Sequence, residues 1–103
     1  MPVRIRFDRG AIDKFCRKWK ILEMSLFGSV LREDFGPQSD VDVLVTFEPE
    51  PGWGLLDLVR MENELGLVFG RKVDLVERRA IERSQNHFRR NGILSHLEPI
   101  HVP

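Results

Sequence analysis

Asp40 and Asp42 stand two residues apart in the run Ser39-Asp40-Val41-Asp42-Val43-Leu44-Val45, whose β-branched and leucine density predicts a strand over 40–47. Side chains at i and i+2 of a strand share a face. Both carboxylates would therefore stand together, with Val41, Val43 and Val45 on the opposite face. Two like charges about 5–7 Å apart repel, and a strand has no structural use for them unless something positive sits between them. Hard oxygen donors suit Mg²⁺, which takes one or two carboxylates and leaves its other positions to water and phosphate oxygens. The chemistry implied is the holding of a nucleotide through a divalent metal.

Two further places could complete such a site. Gly28-Ser29 precedes the aspartates by one short segment. A glycine there lets the backbone approach a ligand with no side chain in the way. Ser29 offers a hydroxyl and begins a short helix over 30–34, whose free N–H groups attract phosphate. Asp74, in Val73-Asp74-Leu75, interrupts an apolar strand in which aspartate is disfavoured. If that strand pairs beside 40–45, three carboxylates around two metal ions would clamp the attacking and leaving oxygens of a phosphoryl transfer. Asp74 would then be the base that takes a proton from the attacking hydroxyl.

The elements that must position these residues follow from periodicity. Asp8 is an N-cap for a helix over 8–20, with Ile12, Phe15, Cys16 and Trp19 on one side and Lys14, Arg17, Lys18 and Lys20 on the other. Leu22, Met24 and Leu26 alternate with Glu23 and Ser25 in a strand over 21–27, and Phe27 breaks the alternation. Residues 35–39 form a turn, and 48–54, with two prolines and two glycines, form a loop in which Trp53 caps the adjacent core. Leu58, Met61, Leu65 and Val68 mark a helix over 55–69, stopped at Gly70. A third strand spans 72–76. A charged helix over 78–90 follows, with Ile81 and Phe88 as apolar contacts, and Gly92, Pro99 and Pro103 limit regular structure beyond it. The expected fold is α/β in the α+β sense: a small mixed sheet of three to four strands with helices packed against it, in a single domain over 1–103. The first two strands should be neighbours.

The 103 residues carry a formal net charge of zero, unevenly placed. Residues 1–20 hold seven basic and two acidic side chains, and 23–66 hold ten acidic and two basic ones. A neutral chain lacks the basic surface that makes nucleic acid a main partner. No apolar run is long enough to span a membrane, and the charged N-terminus does not resemble an export signal. With Cys16 as the single cysteine, read as a structural thiol, these features agree with a cytoplasmic location, which is the expectation.

Taken together, Gly28-Ser29, Ser39-Asp40-x-Asp42 ahead of Val43-Leu44-Val45, and the later Asp74 resemble the minimal nucleotidyltransferases of the DNA polymerase beta superfamily. More narrowly, Leu26-Phe27-Gly28-Ser29, Arg32, Phe47-Glu48-Pro49 and 70–76 resemble the MNT antitoxin-type proteins, often encoded beside a HEPN partner. The resemblance covers about residues 10–90. It implies a polymerase beta-like core, ATP as substrate, Mg²⁺ (two ions) as cofactor, and transfer of AMP to a hydroxyl of a HEPN-type toxin. It further implies that Gly28, Ser29 and Ser39 hold the nucleotide, that Asp40, Asp42 and Asp74 bind metal, and that Asp74 also serves as base. Arg32 matches a family arginine that contacts phosphate, or else it pairs with Glu33 or Asp34 on the surface. The chain departs from many relatives in carrying Glu33 and Asp34, where they have glycine after the arginine.

Three other readings compete. The acceptor could be an RNA end or a small molecule, although such enzymes usually carry added acceptor domains. The chain could neutralise its partner by binding alone, which retention of all three aspartates argues against. Arg90 and His96 fit the loose Arg-x(4–6)-His ribonuclease signature, but no four-helix bundle can be read here and Gly92 is expected to interrupt the helix that signature needs. His87, His96 and His101 form no metal-ligand pattern.

Overall fold

The computed structural model describes residues 6–31, 36, 39–49, 52–83, 85–94 and 96–102. Asp8 opens the first helix, α1 (Arg9–Lys18), by accepting from the backbone N–H of Gly10 (2.8 Å) and Ala11 (3.4 Å), two donors that the helix leaves without partners. Its apolar stripe buries Ile12, Phe15 and Cys16. Burial pushes the Cys16 thiol up from 9.0 to about 12, with the Asp13 carboxylate adding to the shift, so it stays protonated and inert. A tight turn through Lys20 (φ 57°) leads into β1 (Ile21–Phe27). Trp53 does cap the core: its Nε1 donates to the Trp19 carbonyl at 2.7 Å, with the two rings edge to face at 5.1 Å.

The sheet has four strands in the order β3-β2-β1-β4. β2 (Val41–Phe47) runs antiparallel to β1, its neighbour in the sheet. β3 (Val73–Glu77) runs parallel to β2, and the crossover between them is α2 (Leu55–Phe69). α2 begins at Gly54, whose N–H donates to Asp57 Oδ2 (3.0 Å), and ends at Gly70 in the left-handed conformation. Met61, Leu65 and Phe69 bury its inner side. Glu62 reaches from α2 to accept the Leu75 N–H at 2.9 Å, tying the helix to the strand that it delivers.

Alternation gives the sheet two apolar faces. Met24 and Leu26 of β1, Val41, Val43 and Val45 of β2 and Val73 of β3 join Ile12, Phe15, Trp19, Met61 and Leu65 in the main core beneath α1 and α2. Phe27 and Leu44, on the opposite face, pack with Ile81 in a smaller cluster flanked by Val76, Ile93, Leu94 and Leu97. This explains Phe27: it continues the alternation on a face that is also covered. The alternation fails instead at Leu22, which is 38% exposed. The ladder shifts register between Ile21 and Glu23, and this irregularity turns Ile21 inward in its place.

The C-terminal part departs from expectation in two ways. The charged helix predicted over 78–90 is two helices, α3 (Arg78–Glu82) and α4 (His87–Leu94). Ile81 is the one residue that α3 buries, and asparagine, the residue at 86 just ahead of α4, favours caps over helix interiors. The side chain of Phe88 lies outside the described residues. α4 runs through Gly92, which therefore does not interrupt it. Residues expected to be irregular instead form β4 (Glu98–His101), antiparallel to β1. β4 is an edge strand, where proline at 99 is tolerated because one side needs no N–H donor. His101 Nδ1 lies 3.1 Å from Asp13 Oδ1, joining β4 to α1. Among the described residues no helix is long and apolar enough to cross a membrane.

Candidate active site

The parallel pairing of β2 and β3 sets Val41 opposite Val73 and Asp42 opposite Asp74. Neighbouring strands lie about 4.8 Å apart, and residues in register share a face. The two carboxylates therefore leave adjacent strands side by side, thirty-two residues apart in sequence. They occupy the face that carries Phe27, Leu44 and Val76. Apolar packing closes one end of that face; at the other Asp42 is half-buried and Asp74 exposed.

On the other side of Asp42 its partner is Phe27, the last residue of β1, and Gly28 follows. Gly28 has φ +74°, a conformation that other residues rarely adopt. A Cβ on Gly28 would collide with Asp42 Oδ2 and stand 3.2 Å from Asp42 Cγ. The sequence assigns the space beside Gly28 to a ligand; in the structure the Asp42 carboxylate is what fills it. Gly28 is thus the residue that lets Asp42 take its position.

Gly28 begins a four-residue 3-10 turn, Gly28–Leu31, in which Val30 and Leu31 are buried. Ser29 lies inside the turn rather than preceding a helix at 30, and its side chain is outside what the structure describes. Arg32, with Glu33 and Asp34, also lies outside the described residues. Ser39 is half-buried and closes a loop: its N–H donates to the Gly36 carbonyl (3.0 Å), and its Oγ accepts from the Gly36 N–H (3.1 Å). Asp40 is exposed and stands one residue ahead of β2.

Among the described residues no group of three His, Cys, Asp or Glu side chains is arranged to hold a metal ion. The pair Asp42 and Asp74 nevertheless fits Mg²⁺: oxygen donors only, one from each of two adjacent strands, with the open end of the face beside them. Two open clefts of about 480 and 490 Å³ lie elsewhere, one beside Asp13 and His101 and one between α1 and α2. Neither is lined by the three aspartates. Sequence reasoning missed Arg71, whose guanidinium donates to the carbonyls of Gly36 and Ser39. Its signals were its place directly after the helix-stopping Gly70 and inside the 70–76 run of the family resemblance, neither of which indicated what its guanidinium would reach.

Residues 9–99 match the family model described as a nucleotidyltransferase domain. A Methanocaldococcus jannaschii protein, provisionally named a protein adenylyltransferase, is 38% identical over 65 residues, covering 62% of this chain and 63% of the relative. The protein adenylyltransferase MntA of Thermococcus cleftensis is 35% identical over 65 residues, covering 63% and 64%. The chain thus spans less than two thirds of the length of these curated relatives. A solved structure described as a minimal nucleotidyltransferase superposes with a TM-score of 0.67 at 32% identity, over 88% of this chain and 87% of that one. The complex of tri-AMPylated Shewanella oneidensis HEPN toxin with MNT antitoxin shares the fold, with a TM-score of 0.61 at 20% identity, over 92% of this chain and 70% of that one.

Proposed function

The chain belongs to the nucleotidyltransferase domain family, and from that premise we propose that it transfers AMP from ATP to a hydroxyl of a HEPN-type toxin, as the antitoxin of the pair. The observation that carries the reading is the register of Asp42 against Asp74 on parallel strands, beside a glycine whose missing side chain makes room for the Asp42 carboxylate. Relatives named for protein adenylyl transfer, and a similar fold solved with an AMPylated HEPN toxin, support the donor and the acceptor.

In this reading Asp42 and Asp74 hold Mg²⁺, with Asp40 as the third carboxylate and two ions as the full complement. When bound, Mg²⁺ supplies charge neutralisation at the triphosphate and at the attacking and leaving oxygens. The chain's own residues do the rest. The turn at Gly28 and Ser29 receives the triphosphate together with Ser39, and Arg32, outside the described residues, is assigned a phosphate contact by the family resemblance alone. The acceptor oxygen attacks the α-phosphorus, the bond from that phosphorus to the bridging oxygen breaks, and pyrophosphate leaves. Asp74, the most open of the paired carboxylates, takes the proton lost by the acceptor hydroxyl. Asp42, held between β1 and β3, keeps a fixed position throughout. We read the reaction as cytoplasmic, in keeping with ATP as donor, and take the single domain over 1–103 as the catalytic unit.

The test is direct. Purified protein with Mg²⁺ and labelled ATP should add AMP mass to the HEPN protein encoded beside it, and Asp42→Asn should abolish the addition. Label on RNA instead would move the acceptor. Absence of added nucleotide, with neutralisation intact in Asp42→Asn, would leave a binding antitoxin.

A further inference from the structure

We propose that Arg71 is a positioning residue for Asp40, clasping the turn before it so that this carboxylate is held just ahead of β2, two residues before Asp42. The inference rests on the nucleotidyl-transfer reading above.

The three aspartates are not held alike. Asp42 and Asp74 sit within the β2–β3 ladder, which sets their backbones. Asp40 precedes the strand and is exposed, so the ladder does not hold it. Its two neighbours are both held by the segment that follows α2. Val41 N–H donates to the Lys72 carbonyl at 2.9 Å. The Ser39 carbonyl accepts from Arg71 Nη1 at 3.3 Å, and the same nitrogen donates to the Gly36 carbonyl. Gly36 and Ser39 are also joined by their own two hydrogen bonds. One guanidinium thus ties both ends of the turn, and Asp40 is the residue between the two fixed points.

Arg71 is itself located by the end of α2. Gly70 takes φ +68°, and the Arg71 N–H returns to the Gly66 carbonyl at 3.1 Å. The helix that delivers Asp74 to β3 therefore also delivers the side chain that holds Asp40. Hydrogen bonds from a charged donor are shorter and roughly twice as strong as neutral ones. A guanidinium presents its donors in a fixed plane, whereas an ammonium is a single flexible point. Lysine at 71 would keep the charge and lose the plane.

The experiment compares wild type, Arg71→Ala, Arg71→Lys, Asp40→Asn and Asp42→Asn in the full chain. Amide hydrogen exchange is read at 39–41 and over β1. Mn²⁺ binding is measured by calorimetry with AMP-PNP present, and the Mg²⁺ dependence of transfer is followed. Loss of a supporting partner of a metal ligand typically weakens metal binding about 10- to 100-fold. In Arg71→Ala, exchange at 39–41 should accelerate while β1 is unchanged. Mn²⁺ affinity should fall about tenfold, and most of kcat should return at saturating Mg²⁺. Arg71→Lys should stay nearer to alanine than to wild type.

Unchanged exchange in Arg71→Ala, full rescue by lysine, or Mn²⁺ affinity kept in Arg71→Ala but lost in Asp40→Asn overturns the inference alone. Wild type that binds no Mn²⁺ and transfers no AMP, or Asp42→Asn that behaves as wild type, overturns the functional reading and with it any role of Arg71 toward metal.

Discussion

The two faces of β2 differ in kind although one backbone carries both. Val41, Val43 and Val45 are fully buried against α1 and α2, while Asp42, between them, emerges on the face that opens at its end toward solvent. A strand's period of two makes this possible: the valines anchor the backbone that the aspartate uses. Rigidity and chemistry are thus one residue apart. The carboxylates gain a fixed position without belonging to the main core: they stand on the opposite face, at the end away from the smaller cluster around Phe27, Leu44 and Ile81.

Substitutions can break this division of labour or sharpen it. The largest effect is expected from Asp42→Asn, which should lower AMP transfer at least about 100-fold, since it removes a metal-ligating carboxylate. Its melting temperature should move by a few degrees at most. Gly28→Ala should damage both faces at once: about 1 kcal/mol or more of stability from the positive φ, and a marked loss of transfer, because the new Cβ displaces the Asp42 carboxylate. Retention of full activity there would refute the close approach. Val43→Ala should show the reverse of Asp42→Asn, costing about 2 kcal/mol by deleting buried methyl groups, with transfer intact below the melting transition. Glu62→Ala should cost about 1 kcal/mol through the lost bond to Leu75, read as faster exchange of the Leu75 amide. Cys16 should give the smallest effect. Its raised pKa leaves the native thiol unmodified by iodoacetamide at pH 8, whereas the unfolded chain reacts. Stability linked to it is present below pH 9 and falls as pH rises toward 12, because the unfolded state loses its proton first.

Much of the route to the site was legible because it is local. Helix α1 with its Asp8 cap, β1, the valine face of β2, and α2 between Gly54 and Gly70 all follow from periodicity and end signals within a few residues. The place of Asp74 was legible as a condition: an aspartate in an apolar strand makes sense only beside another strand. The strand at 98–101 was not legible, because Pro99 argues against a strand in every position except an edge, and edge status is a property of the whole sheet. The break in 78–90 was hidden for a related reason. Five arginines suit a helix locally, but only the small cluster around Ile81 decides how much of it is anchored.

The sequence by itself determined which side chains could do chemistry and which face of each strand they would take, because residue type and a period of two or 3.6 are carried by near neighbours. Tertiary structure alone decided that Asp42 and Asp74 meet in register, that Gly28 makes room for a carboxylate, and that Arg71 reaches back to Gly36 and Ser39. Each of these joins segments whose sequence separation says nothing about their distance. Strand pairing and the crossover through α2 supply that distance, and both depend on burying the valines rather than on the aspartates they bring together.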